Sequence, residues 1–326
     1  MSRVGGQPAQ RLARSLAEVA GSQLRAVLLY GSHLFGGAPD RYSAYDLVVV
    51  VEEYVGTYQA LRGRGFTHRP PRLMALLAWW LPPNVIAYSP EGEDGPIAKC
   101  LIINARDFER ELSARSRDHF MISRMIQDLG VLYVKDATTE QWLENCLAAA
   151  RRTVLDWAVP YVATPFTAET LTREMIAICY RSEIRPESGA RASSVFDAQR
   201  AYLVETYEKL LADASSERLV VREGDGYRSA HRPGWLARTR RFMYFTFSKV
   251  RVTARWLKHV LTFENWLSYT LRKVERRTGM RVELTALERR LPLIFAWPRL
   301  FRVLRNRPAE EAASGRALPP GPEGDT

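Results

Sequence analysis

Two short apolar runs constrain this chain more than any other feature. The first, Val27-Leu28-Leu29-Tyr30, ends in Gly31-Ser32, and the second, Leu47 to Val51, begins directly behind Asp46. Aliphatic runs of this length, bounded by turn residues, read as strands buried on both faces. The pattern therefore sets the amides of a Gly-Ser turn beside a strand led by a carboxylate. Such amides can hold a triphosphate, and the carboxylate can hold a Mg²⁺ bridging it.

This is the layout of a nucleotidyltransferase, although a plain hairpin turn uses the same residue types. Many transferases of that fold carry two carboxylates at alternate positions of the second strand, so that both point at the metals. Here the position two before Asp46 is Ala44. Either another acid completes the site, with Asp107, Glu109 and Glu111 as candidates, or activity is reduced or lost. Those three acids equally suit the first turn of a helix.

The chain has 326 residues and a net charge of +11, which points to an anionic partner: nucleic acid, nucleotide or a phospholipid surface. Cys100, Cys146 and Cys179 are too scattered for a disulfide framework or a zinc site, and suit a reducing compartment. The N-terminus lacks the apolar core of a secretory signal. The longest apolar run, Leu73 to Leu81, is about half of what spans a bilayer. The expected location is cytoplasmic, peripheral on the inner face of the membrane, or on the matrix side in an organelle.

In chain order, helices are expected at Arg11 to Val19, Tyr54 to Arg62 and Leu73 to Leu81, the last carrying Trp79 and Trp80 toward the core or a cleft wall. Asn84 to Ser89 and Ile97 to Ile103 form an antiparallel hairpin with Lys99 at the start of its second strand. That lysine is either a solvated strand residue or a neutraliser of phosphate. Arg115 to Leu129 reads as a basic helix containing Arg124, Val131 to Val134 as a strand and Thr139 to Trp157 as a helix. Thr167 caps a helix through Tyr180. After a helix at Ala201 to Ala212, Glu223-Gly224-Asp225-Gly226 turns a hairpin that suits the wing of a winged-helix unit.

From Arg238 to Arg307 basic residues interleave with aromatics. Arg251, Arg255, Trp256 and Lys258 lie in this region, and the apolar stretch Leu291 to Val303 carries Trp297 and Arg299. Rings at a headgroup layer with cationic stems reaching phosphates would use this pattern, and so would a helical core with a solvated basic face. The charge lies here and not on the hairpin, which disfavours nucleic acid. The expected class is α+β: a nucleotidyltransferase-fold mixed sheet with helices at 1–136, a mainly helical, winged-helix-like domain at 137–235, a basic-aromatic membrane-binding region at 236–307 and a disordered tail at 308–326.

Up to about residue 235 the chain resembles the mitochondrial translocator assembly and maintenance family, the mitochondrial-type CDP-diacylglycerol synthases. Tyr30-Gly31-Ser32-His33-Leu34-Phe35 is similar to the family's Y-G-S-G-V-F/Y, and Ala44-Tyr45-Asp46-Leu47-Val48 to its M-L-D-F-V/I, in which a single acid leads the strand. Val85 to Tyr88 resembles its V-Y-Y strand, Ala98-Lys99-Cys100-Leu101-Ile102 its K-Y-G-V strand, and Ser123-Arg124-Met125 its G-R motif. Pro165-Phe166-Thr167-Ala168-Glu169, with Ile176 to Tyr180, is similar to its P-x-x-F-S-E helix. The resemblance implies Mg²⁺-dependent transfer from CTP to phosphatidic acid, giving CDP-diacylglycerol and pyrophosphate. It implies that Tyr30, Gly31, Ser32, His33, Lys99 and Arg124 bind the nucleotide, with Asp46 and Lys99 catalytic and Asp46 holding the metal. Three departures stand out: His33 replaces a glycine, the family's lysine-proline after G-R is absent, and the segment from Trp235 to Val303 is long and regular. With Ala44, they leave open a different phosphorylated acceptor, or a membrane-associated scaffold without turnover.

Overall fold

The two apolar runs pair side by side in the middle of a five-stranded mixed sheet. In the computed structural model, residues 6–34, 44–91, 95–182 and 189–263 are described. The strands are β1 (Leu24–Tyr30), β2 (Tyr45–Val51), β3 (Asn84–Tyr88), β4 (Ala98–Asn104) and β5 (Gly130–Val134), in the order β3-β4-β2-β1-β5. Only β2 and β4 run parallel among these neighbours.

Period-two alternation divides the strand residues between two cores. Val27, Leu29, Leu47, Val49, Val51, Cys100 and Ile102 face one layer, formed by α1 (Gln7–Ala20), α2 (Tyr54–Gly63) and α3 (Pro71–Trp80). Ala26, Leu28, Val48, Val50, Leu101 and Ile103 face the other. Each fully buried aliphatic side chain contributes about 1.5–3 kcal/mol, which is why these runs contain no polar residue. On α1 the buried positions Leu12, Ala13, Leu16 and Ala20 recur at helical spacing. Inside this layer Asn84 Nδ2 donates to Tyr58 Oη and to the Met74 carbonyl, each at 2.8 Å, while its Oδ1 is buried without a hydrogen-bond partner.

The opposite layer is helical. It contains α4 (Ala105–Glu111), α5 (Ile122–Met125), α6 (Ala137–Arg152), α7 (Val154–Trp157), α8 (Ala168–Arg181), α9 (Gly189–Ala198) and α10 (Arg200–Ser216). Next come the hairpin β6 (Val220–Glu223) and β7 (Gly226–Ser229), and α11 (Trp235–Thr262). Asn104, Asp136 and Thr167 cap α4, α6 and α8 by accepting from the amides of Asp107, Thr139 and Thr170. The described residues belong to one compact unit, 1–264, and a single apolar cluster runs from Ala26 through Val131, Leu143 and Tyr227 to Val252.

Several expectations are corrected. The stretch from Arg115 to Leu129 is helical only at Ile122–Met125, because side chains compete for its backbone. Ser113 Oγ donates to the Arg110 carbonyl, and the Asp118 carboxylate accepts the Phe120 amide. The helix expected through Trp157 divides at Thr153, whose hydroxyl turns back to the Ala150 carbonyl at 2.6 Å. Trp79 and Trp80 are 66% and 58% exposed, since α3 buries the Met74 and Ala78 stripe and leaves both rings off it. The helix α9 had no sequence expectation. Leu291 to Val303, with Trp297 and Arg299, and the tail 308–326 lie outside the described residues.

Candidate functional site

Tyr30, Asp46 and Lys99 form a row across the sheet. Tyr30 opposes Asp46 across β1 and β2, and Asp46 adjoins Lys99 across β2 and β4. All three share the parity of Leu28, Val48 and Leu101, so they lie on the face of the larger core. Strand register thus brings together residues 30, 46 and 99, which are far apart in sequence.

The Gly-Ser turn closes over this row. Gly31 has φ of +83°, a left-handed conformation that glycine adopts without strain, and the Leu34 amide donates to the Gly31 carbonyl at 3.0 Å. A Cβ built on Gly31 would stand 3.2 Å from Asp46 Oδ2, so the carboxylate lies directly against the turn. Ser32 is exposed. The His33 ring stacks on Tyr45, with centroids 3.9 Å apart and planes at 24°, which gives this departure from the glycine of the resembled motif a contact of its own.

Arg124, on α5, lies over the Phe120 ring at 3.7 Å and donates to the Phe120 carbonyl at 2.6 Å. It and Lys99 both act on His259 of α11. Burial first, then the charges of Lys258, Lys99, Arg255 and Arg124, push that imidazole down to about 2. His259 is therefore neutral at pH 7, with a buried Nε2 that has no hydrogen-bond partner. Sequence reasoning did not select it. The signal was its spacing, four residues after Arg255 and eight after Arg251, inside a run read as a headgroup surface.

Two of that run's named cations, Arg255 and Lys258, are buried. Arg255 is 1% exposed: its Nη2 donates to Asp118 Oδ2 at 2.8 Å and its Nε to the Pro82 carbonyl at 2.9 Å. Lys258 is buried as well, its Nζ donating to the carbonyls of Leu77, Leu81 and Pro83. Burial and then Arg255 pull this amine below its ordinary range, while three carbonyl acceptors match the three N–H groups of the charged form. Arg251, partly exposed, donates to Asp118 Oδ2 at 2.9 Å. Burial pushes the Asp118 carboxyl up, but the two guanidiniums outweigh it and hold it below the usual carboxylate range. Trp256 alone of the described four faces outward, 61% exposed.

The candidate second metal carboxylates are elsewhere. Register runs from Asp46↔Lys99 to Val51↔Asn104, so α4 starts at the far end of the strands, roughly 17 Å along from Asp46. There Asp107 pairs with Arg110 at 2.7 Å and accepts from Tyr54 Oη at 2.7 Å, while Glu111 pairs with Arg110 at 2.8 Å. Among the described residues no three His, Cys, Asp or Glu side chains converge as a metal site. The donor set at the turn, one carboxylate against a positive-φ glycine, suits a Mg²⁺ that takes its remaining ligands from phosphate and water.

No protein-family model matches the chain, and a search of curated proteins finds no relative. Fold and site together define an α+β protein with a five-stranded mixed sheet. Its strand ends carry a glycine turn, a carboxylate and a lysine.

Proposed function

We propose that the chain is a nucleotidyltransferase of the phosphatidate cytidylyltransferase type, built on a nucleotidyltransferase fold with a winged-helix-like region around β6 and β7. The observation that carries this reading is the contact between Gly31 and Asp46, with Lys99 in the adjoining register position. The turn amides bind the CTP triphosphate. Asp46 would hold Mg²⁺, which when bound neutralises charge on the departing pyrophosphate. Lys99 and Arg124 draw the reacting phosphates together and offset their repulsion.

An oxygen of the phosphatidate monoester attacks the α-phosphorus in line. The new P–O bond forms as the α–β P–O bond breaks, and pyrophosphate leaves. A phosphate monoester is ionised near neutral pH, so the step needs no strong general base. A site with one carboxylate and a neutral His259 is consistent with that.

Exposed apolar residues support action at a lipid surface. On α11 Phe247, Trp256 and Leu257 face outward, and Lys258 ties that helix to the end of α3, where Trp79 and Trp80 are exposed. Among the described residues no helix is long and apolar enough to cross a membrane.

Incubation with Mg²⁺, labelled CTP and phosphatidic acid in mixed micelles tests the activity. Label is expected in the organic extract, and Asp46→Asn should lower turnover at least about 100-fold while leaving the fold intact. Absence of lipid label in the wild type, or full turnover in the variant, would overturn the reading. For the membrane surface, Trp80→Ser combined with Trp256→Ser should weaken flotation with anionic vesicles, and added salt should weaken it further.

A further inference from the structure

The helix α3 is apolar on two opposite faces. Met74 and Ala78 are buried against the sheet, whereas Leu73, Leu76, Trp79 and Trp80 are all exposed. With Arg72, these four fall at i, i+1, i+4, i+7 and i+8, an arc of about 120° facing directly away from Met74 and Ala78. Apolar residues scattered singly over a surface need no explanation, but a contiguous strip on one helix marks a contact face. The charge around it is of one sign. From Tyr54 to Pro90 the chain carries Arg62, Arg64, Arg69 and Arg72 and no aspartate or glutamate.

At the N-terminal end of this strip the last turn of α2 and the first of α3 form a cleft of about 610 Å³, lined by Gln59, Arg62, Gly63, Pro70, Pro71 and Arg72. Among the described residues neither Arg62 nor Arg72 makes an ion pair. The two prolines carry no amide hydrogen, so two guanidiniums and the Gln59 carboxamide set what the cleft takes. Paired guanidinium forks match the oxygens of a phosphate. The loop between the helices is fixed in place as well. Phe66 packs on the Tyr88 ring with centroids 4.6 Å apart, and the charge of Arg64 acts on the same tyrosine. Tyr88 opposes Ala98, next to Lys99, so this loop sits at the sheet end that carries Asp46 and Lys99.

We propose that the α2–α3 cleft and the outer face of α3 form a docking site for an anionic phospholipid bilayer. Arg62 and Arg72 donate to a headgroup phosphate, while Leu73, Leu76, Trp79 and Trp80 enter the boundary between headgroups and acyl chains. A bilayer is the occupant that meets both needs at once. A second copy of the chain, related by a two-fold axis at this face, would set its arginines against the same arginines. A nucleic acid would answer the arginines and leave Leu73 and Leu76 in water. Docked through α3, the chain keeps the strand ends of Asp46 and Lys99 near the headgroups. The docking follows from the cleft and the helix face; that it serves transfer to a lipid rests on the transferase reading.

Flotation of the full chain with vesicles of phosphatidylcholine, alone or mixed with phosphatidic acid, tests the site. Two double variants are compared, Arg62→Gln with Arg72→Gln and Leu73→Ser with Leu76→Ser. All four positions are exposed, so circular dichroism should match the wild type. Each variant should bind the mixed vesicles about tenfold more weakly or worse, and the arginine variant should also show a shallower dependence on salt. Wild-type binding in both variants would overturn the proposal. Unchanged flotation with an altered oligomeric state in the leucine variant, by sedimentation velocity, would overturn it in favour of contact between copies of the chain. Unchanged flotation with weakened binding of single-stranded RNA in the arginine variant would overturn it in favour of nucleic acid. Transfer from CTP to soluble short-chain phosphatidic acid should be the same in all three proteins. Vesicle binding lost in the variants of a chain that transfers nothing from CTP would keep the docking site and remove the transferase reading. Lipid labelling by a chain whose variants both float like wild type would do the reverse.

Discussion

Gly31 shows how narrow the tolerance is at single positions. A side chain there meets both a left-handed backbone and Asp46 Oδ2 at 3.2 Å, so substitution moves the carboxylate as well as the turn. Gly31→Val should reduce CTP affinity at least tenfold, about 1.4 kcal/mol, by titration calorimetry. Asp118 is a different kind of position. Its carboxylate is the shared counter-charge of two arginines, and Asp118→Ala would leave Arg255 buried without an ion-pair partner. A loss of about 3–5 kcal/mol in urea unfolding is expected. Gly31 and Asp46 were legible in the sequence because the turn and the strand start are local features. The role of Asp118 was not, since its partners lie 133 and 137 residues away.

Among the elements, the strands of the large sheet were readable as mainly apolar runs between turn residues, and the β6–β7 hairpin from its Glu223-Gly224-Asp225-Gly226 turn. The helices divided by how local their determinants are. The caps at Asp136 and Thr167 act within three residues. The segment before α5 is instead held by serine and aspartate bonds that cut across a helical pattern. On α11 the sequence gives a basic-aromatic alternation that two surfaces could use. The structure divides the helix: Ser248, Arg255 and Lys258 point inward, while Phe247, Trp256 and Leu257 point out. A deletion spanning 242–307 would therefore remove core contacts along with any lipid contacts. Trp256→Ser should leave the unfolding free energy within about 0.5 kcal/mol of wild type, whereas Lys258→Met should cost several times more. Denaturation of the two variants side by side checks the assignment of faces.

For the molecule as a whole, acid should be destabilising through α11. His259 is held far below its ordinary 6.5 when folded, so the unfolded chain binds a proton there that the folded chain refuses. Stability therefore falls as pH drops below about 6.5, by up to about 1.4 kcal/mol per pH unit. Asp118, whose carboxyl is depressed, adds to the loss only below the ordinary carboxylate range. In His259→Asn the slope between pH 6 and pH 4 should flatten, as measured by chemical denaturation at each pH.

The clasp of Arg255 and Lys258 on Pro82, Pro83 and the end of α3 joins positions 173 to 181 residues apart. Contacts of such long range form late, after the entropy of closing a large loop has been met. During synthesis, then, the sheet and its first three helices emerge with this flank open, and they stay so until residue 258 has left the ribosome. A nascent chain stalled before Arg255 should be cut by protease near α3, and one stalled well beyond Thr262 should resist.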